Sequence, residues 1–196
     1  MPRSALSAGA SVDVDGWSVA AFYDDPAREY AALCDGAALV DLAYRARVRV
    51  TGGDRVDFLQ GMLSNDVKRL APGGGCAALL LTEQGKIVAD CIVLALADAI
   101  LLDARASATV RAAEALARYV VADDVELEAE AGTHAVGVFG PGATEALATA
   151  GITAPPQAPF AHVTVEVDGA TMRIVRVPDP AAGGYLCIGG EPLIER

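Results

Sequence analysis

A single acidic residue interrupts the most apolar stretch of the chain. Asp90 is the one charge within IVADCIVLAL, residues 87–96, and a strand over this run would carry apolar side chains on both faces. We expect such a strand to be covered on both sides, which would bury the carboxylate. A buried carboxylate is costly unless it is paired. Asp90 therefore predicts either a structural ion pair, with Lys86 or an arginine, or a ligand that offers ring N–H groups.

Three arginines form a second group of residues that could do chemistry. In RARVRVTG, Arg45, Arg47 and Arg49 alternate with apolar residues and would share one face of a strand. Guanidinium groups pair well with carboxylates and phosphates. This face therefore predicts either an anion-binding stripe or a solvated sheet face with acidic neighbours, and the residues leave both interpretations open.

One helix and three strands must position Asp90. From residue 54 to residue 63, apolar side chains recur at helical spacing, and Asn65, Asp66 and a Pro-Gly-Gly-Gly segment end this helix. The apolar runs CAALLLT, IVADCIVLAL and AILL follow, with a turn at EQGK between the first two. This order predicts a helix followed by a three-stranded meander.

The rest of the chain carries further helix and hairpin signals. Pro26 and Gly36 are typical of the start and the end of a helix. Asp168 and Gly169 predict the tight turn of a hairpin. Another helix is predicted to begin at the N-cap Ser107 and to face the core with four residues, Val110, Ala113, Leu116 and Val120.

The composition excludes several classes of protein. The 196 residues are enough for one large domain or two small ones. A net charge of −11 works against binding to nucleic acid or to an anionic membrane, so we expect neither partner. Four scattered cysteines, no metal-ligand spacing and no signal-peptide or membrane-spanning pattern predict free thiols in a cytoplasmic protein without a metal site.

Three segments resemble the aminomethyltransferase (glycine-cleavage T-protein) superfamily: FLQGMLSND, LLLTEQGKIVAD and ALVDLAYRARVRVTG. Within it, the chain most resembles the YgfZ-type folate-binding proteins that assist iron–sulfur enzymes. The resemblance implies an α+β fold of two interleaved domains with mainly antiparallel sheets. The first domain would be discontinuous, residues 1–50 plus 133–196, and residues 51–132 would form an inserted helix-and-meander domain.

The resemblance also implies a partner for one face of the chain. In T-proteins a C-terminal barrel closes a central folate pocket, and this chain of 196 residues ends before such a barrel could occur. We therefore expect a homodimer or another protein to cover the face that the barrel covers in larger relatives.

Finally, the resemblance implies tetrahydrofolate as the ligand. Asp90 would be the catalytic residue, and the residues in contact with the folate would be Asn65, Asp66, Asp90 and Arg176. Where T-proteins carry two adjacent aspartates, this chain has Ala89 and Asp90, and RVPDPAAGGYLCI lacks the glutamate that grips the pterin in T-proteins. These departures favour a folate-binding protein accessory to iron–sulfur enzyme assembly or repair. The alternatives are an aminomethyltransferase that transfers a one-carbon unit to tetrahydrofolate, and a non-catalytic subunit of a larger folate-linked complex.

Overall fold

The protein consists of two compact units built from helices and antiparallel strands. Unit 1 comprises Met1–Tyr44 and Gly132–Arg196, and unit 2 comprises Arg45–Ala131. Every strand pair among the described residues is antiparallel, and the expected α+β class is confirmed. The computed structural model describes three stretches of the chain, residues 9–167, 169–178 and 183–190.

The described residues form twelve strands and four helices. In chain order these are β1 (Ala10–Val14), β2 (Trp17–Phe22), α1 (Pro26–Asp35), β3 (Ala38–Asp41), β4 (Arg45–Thr51), α2 (Arg55–Met62), β5 (Gly75–Leu81), β6 (Ile87–Ala95), β7 (Ile100–Arg105), α3 (Ala106–Ala117), β8 (Glu126–Ala129), β9 (His134–Phe139), α4 (Ala143–Thr149), β10 (His162–Val167), β11 (Ala170–Val177) and β12 (Gly184–Gly189).

Unit 2 is a five-stranded sheet with the strand order β5-β6-β7-β4-β8 and two helices. The predicted helix and three-stranded meander are confirmed as α2, β5, β6 and β7. On one face of the sheet, Ala89, Cys91 and Val93 of β6 are buried in a cluster with Leu59 of α2 and Leu116 of α3. The side chains at the alternate positions of β6 point to the other face.

The face that helix α3 presents to the core matches the expected one only in part. It begins at Ala106 after the N-cap residue Arg105, so Ser107 lies inside the helix. Of the predicted core stripe, Leu116 is buried and Ala113 and Val120 pack against the core cluster, but Val110 is 60% exposed, so the prediction is wrong at Val110. Alanines permit a close approach between a helix and a sheet, and here they are two of the four buried residues, which are Ala108, Thr109, Ala112 and Leu116.

Unit 1 contains a two-stranded sheet, β1-β2, and a five-stranded sheet with the order β10-β11-β12-β9-β3. The predicted helix is confirmed as α1, whose N-cap Asp25 accepts a hydrogen bond from Ala27 N and whose C-cap is Gly36. The predicted hairpin is confirmed as β10 and β11. Of its predicted turn, Asp168 lies outside the described residues.

Strand β4 belongs to the sheet of unit 2, where it pairs with β7 on one side and β8 on the other. The boundary expected at residue 50 placed most of this strand in the first domain. The compact unit instead begins at Arg45, because the strands that hold β4 come more than fifty residues later in the chain. The resemblance placed the boundary at the end of this strand and carried no information on its pairing with β7 and β8.

Candidate functional site

Asp90 is exposed, which corrects the expectation that it is buried. It lies on β6 with its side chain on the face opposite Ala89 and Cys91, which are buried. That face is not covered near the β5–β6 turn, so the strand is buried on one side only at this point. Within the described residues, Asp90 makes neither a hydrogen bond nor an ion pair, with Lys86 or with any arginine. Its carboxylate is thus able to accept hydrogen bonds from a ligand.

The loop that follows α2 is held against the free edge of β5. Ser64 N donates to Leu79 O at 3.0 Å, and Leu79 N donates to Ser64 Oγ at 2.9 Å. Asn65 Nδ2 donates to Ala77 O at 2.8 Å, and Asn65 Oδ1 accepts from Asp66 N at 2.8 Å. Both ends of the Asn65 amide are therefore used within the protein, which makes Asn65 a residue that positions the loop.

Gln60 fixes the other side of this loop. Its Oε1 accepts hydrogen bonds from Val67 N at 2.8 Å and from Lys68 N at 3.0 Å. Gln60 and Ser64 both fall within FLQGMLSND, and their role was missed at the sequence level. The signal was available, since polar side chains next to turn residues often bond to nearby backbone groups.

Asp66 is the acidic member of the loop and is partly exposed. Its carboxylate pairs with Arg69 Nε at 2.8 Å. Burial, together with the neighbouring Asp66 carboxylate, raises the pKa of the Cys76 thiol on β5. Asp66 therefore lies beside β5, as Asn65 does.

The structure brings three of the four predicted site residues to one part of unit 2. Leu79, which bonds to Ser64, stands opposite Asp90 in the β5–β6 register. Neighbouring strands are about 4.8 Å apart, so the Ser64 backbone and Asp90 are separated by roughly 10 Å. Asn65 and Asp66 follow Ser64 directly, and all three predicted residues border the same two strands.

Arg176, the fourth predicted residue, belongs to β11 of unit 1. Its Nη1 donates to Gly184 O at 3.0 Å, and its guanidinium carbon lies 5.1 Å from the centre of the Tyr185 ring. These contacts hold the arginine over β12.

The three arginines of β4 form ion pairs with acidic residues of unit 2, which corrects the two interpretations given above. Arg45 and Arg47 both pair with Asp103 of β7, and Arg47 also pairs with Glu130 at 3.3 Å. Arg49 pairs with Asp98 at 2.6 Å. Arg47 is only 2% exposed, so the face has acidic neighbours but is not solvated there. Because the guanidinium groups have partners, no stripe of free cations remains for an anion.

Asp103 is the buried carboxylate that Asp90 was expected to be. It is 0% exposed and stands opposite Arg47 and Ile92 in the sheet. The residue directly follows the apolar run AILL, which is the same signal that drew attention to Asp90. Because Asp103 stands at the end of this run and not within it, its burial was not predicted.

The four cysteines are free thiols. Burial is the main cause that raises the pKa of Cys91 and of Cys187 to about 12. A thiol with a raised pKa stays protonated at neutral pH and is neither a good nucleophile nor a good metal ligand. Within residues 9–167, 169–178 and 183–190, no group of three His, Cys, Asp or Glu side chains could hold a metal ion.

Known proteins match this chain at the level of both family and fold. The model of the GCVT N-terminal domain matches residues 3–179, which is most of the chain. The chain therefore belongs to the GCVT N-terminal domain family.

The curated relatives are aminomethyltransferases by name. That of Bordetella pertussis is 37% identical over 90 residues, which cover 45% of this chain and 25% of the relative. That of Lysinibacillus sphaericus is 34% identical over 88 residues, which cover 45% of this chain and 24% of the relative. The matched segment thus spans about a quarter of the length of these relatives.

Two solved structures share the fold. The glycine cleavage system aminomethyltransferase T from Bartonella henselae superposes with a TM-score of 0.85 over 95% of this chain and 51% of that chain, at 21% identity. A chain of the heterotetrameric sarcosine oxidase from Corynebacterium sp. U-96 superposes with a TM-score of 0.51 over 86% of this chain and 85% of that chain, at 14% identity. Separately, no helix among the described residues is long and apolar enough to cross a membrane.

Proposed function

We propose that this chain binds tetrahydrofolate through unit 2 and serves a protein of the aminomethyltransferase type. The observation that carries the proposal is the exposed Asp90 carboxylate, which has no partner among the described residues and stands one strand away from a loop fixed at both ends. Pterin rings offer N–H donors, and a carboxylate accepts hydrogen bonds only. Rigid support of the groups around a ligand favours binding, because less freedom is lost when the complex forms.

Each predicted residue of unit 2 takes a distinct role in this proposal. Asp90 accepts hydrogen bonds from the folate and holds the reacting ring. Asp66 contributes a second negative charge at the same two strands, and its pairing with Arg69 sets its position. Asn65 positions the loop. Arg176, which is held over Tyr185 in unit 1, stays a prediction of the resemblance.

Aminomethyl transfer is favoured over the accessory role in iron–sulfur enzyme assembly or repair. The curated relatives are named aminomethyltransferases. In addition, Ala89 is 2% exposed and lies in the core cluster, so the missing first aspartate concerns a core position in this chain. The absence of an aspartate at this position is therefore weaker evidence against catalysis than it seemed from the sequence. The YgfZ-like accessory role is the second candidate.

Replacing Asp90 with asparagine should weaken tetrahydrofolate binding by roughly tenfold, because a hydrogen bond to a charged group contributes about 1.5 kcal/mol or more. Isothermal titration calorimetry measures the dissociation constants. Asp123→Asn is the matched control: Asp123 is an exposed aspartate of unit 2 whose carboxylate bonds to no described residue. Equal affinities for the protein and the Asp90→Asn variant would contradict the proposed role of Asp90.

The same two proteins separate the candidate functions. Formation of methylene-tetrahydrofolate from an aminomethyl donor, lost in Asp90→Asn and retained in Asp123→Asn, would support the aminomethyltransferase. Tetrahydrofolate binding without any turnover would support the accessory role. The absence of binding at millimolar ligand would instead support a non-catalytic subunit of a folate-linked complex.

A homodimer or a protein partner also remains part of the proposal. Light scattering tests whether the protein forms a homodimer.

Tetrahydrofolate with one glutamate and with three glutamates should bind with affinities that agree within roughly twofold at low salt. The physical reason is that Arg45, Arg47 and Arg49 are occupied by Asp103, Glu130 and Asp98. Competition between the two ligands in one titration measures the ratio. A tenfold preference for the longer tail that disappears in high salt would show that these arginines exchange their partners for the ligand.

A further inference from the structure

A groove lies on unit 2 between the β5–β6 hairpin and α3. Its volume is about 430 Å³, which is within the range of small-molecule sites, roughly 300–1,000 Å³. Met62, Leu80, Val88 and Ala115 provide apolar lining, and Leu80 belongs to the buried core cluster. That cluster lies on the α3 side of the sheet, and Val88 packs against it because the β5–β6 register is interrupted between Leu80 and Leu81. The groove is therefore on the opposite face of β6 from Asp90 and is distinct from the proposed folate site.

Two arginines of this groove differ from the other arginines of the described chain. Arg111 and Arg118 both line the groove, and neither guanidinium group makes a hydrogen bond or an ion pair with a described residue. Every other arginine in the part that the structure describes takes part in a hydrogen bond, an ion pair or another electrostatic contact. The two lie seven residues apart, which is about two turns, so they share one side of α3. In a chain with a net charge of −11, two unpaired guanidinium groups over an apolar floor are suited to an anion.

Two acidic residues and a tyrosine complete the lining. Tyr119 donates its hydroxyl hydrogen to Glu83 Oε1 at 3.2 Å, which connects the end of α3 with the β5–β6 turn and occupies the Glu83 carboxylate. Glu114 lies between the two arginines in sequence and is not within ion-pair distance of either. Its negative charge opposes an anionic ligand. Removal of this charge is therefore expected to raise the affinity of the groove for an anion.

We propose that this groove binds a small organic carboxylate with an apolar body. The carboxylate pairs with Arg111 and Arg118, whose planar groups match it in geometry and charge. The apolar body lies over Met62, Leu80 and Val88 and loses contact with water there. The occupant is a free small molecule, since the groove is local to the end of α2, to α3 and to one hairpin of unit 2.

The probe is 4-phenylbutyrate, and its amide is the neutral control. We expect titration of the ¹⁵N-labelled protein with phenylbutyrate to give saturable shifts in ¹H–¹⁵N spectra, confined to Met62 and to residues 80–88 and 111–119. The amide should bind at least several-fold more weakly, because it has the same apolar body without the charge. Equal binding of the two compounds, or shifts that neither saturate nor concentrate at the groove, would overturn the proposal.

Charge variants give the second part of the test. Arg111→Gln and Arg118→Gln should each weaken phenylbutyrate binding by roughly two- to fivefold, the range for one partly exposed ion pair. Glu114→Gln should strengthen binding by a similar factor. Arg28→Gln removes the same charge from an exposed arginine of α1 in unit 1 and should leave the affinity unchanged. An equal loss in Arg28→Gln, or no gain in Glu114→Gln, would show that the groove does not select for the carboxylate. The dispersion of each spectrum reports whether the variant is folded.

Discussion

Replacing Asp103 with asparagine should lower the free energy of unfolding by about 3 kcal/mol or more. The substitution keeps the shape of the side chain and removes the charge that serves both Arg45 and Arg47. Since Asp103 is 0% exposed and Arg47 is 2% exposed, water cannot take over this role. Arg47 would keep its pair with Glu130, but the buried carboxylate that it shares with Arg45 would be lost.

Asp98→Asn is the matched control for this prediction. Asp98 pairs with Arg49 on the same sheet, but its side chain is 74% exposed, so its loss should cost less than about 1 kcal/mol. Hydrogen exchange of the β4 and β7 amides measures the opening free energy of unit 2 specifically. Similar losses in the two variants would show that the Asp103 network contributes no more than a surface ion pair.

The helices and hairpins were predictable because their signals are local. Helix α1 is bounded by a capping aspartate with a following proline and by Gly36, and all of these signals lie within twelve residues. The meander is separated by turn residues, and its strands pair with their neighbours in sequence. Short-range signals of this kind require no knowledge of the rest of the fold.

The environment of Asp90 could not be derived in the same way. Alternation along a strand identifies the side chains that share a face, and Ala89 and Cys91 are indeed buried together. It does not reveal what covers the second face, which depends on elements elsewhere in the chain. Helix α3 shows the same limit, because its many alanines leave little contrast in size or polarity between its faces. Val110 consequently seemed a core residue and is exposed.

The charge network of β4 required pairing between distant segments. Arg45 and Asp103 are 58 residues apart, and no local pattern relates them. The sequence did contain charges of both signs in these segments: three arginines on one strand face, and several acidic residues in and next to the later strands. If the arginines and the acidic residues had been considered together, ion pairs between them would have been favoured over a site for an external anion.

Replacing Gly52 with alanine should destabilise the protein by about 3 kcal/mol. Gly52 has a φ angle of +98°, a region that side chains disfavour, and an added Cβ would overlap the carbonyl oxygen of Asp124. This approach is close because Asp54 N donates to Asp124 O at 3.2 Å, while Asp124 N donates to Asp54 Oδ2 at 2.8 Å. The clash is with backbone atoms, so a rotamer change cannot relieve it.

Gly85→Ala separates the two contributions to this loss. Gly85, in the β5–β6 turn, also has a positive φ of 78°, but nothing lies within 4 Å of its added Cβ. Its replacement should therefore cost only the backbone strain, about 1 kcal/mol. Urea unfolding of both variants, followed by circular dichroism, gives the two free energies. If both losses were equal, the close approach of the Asp124 carbonyl to Gly52 would add nothing to the cost of the backbone strain.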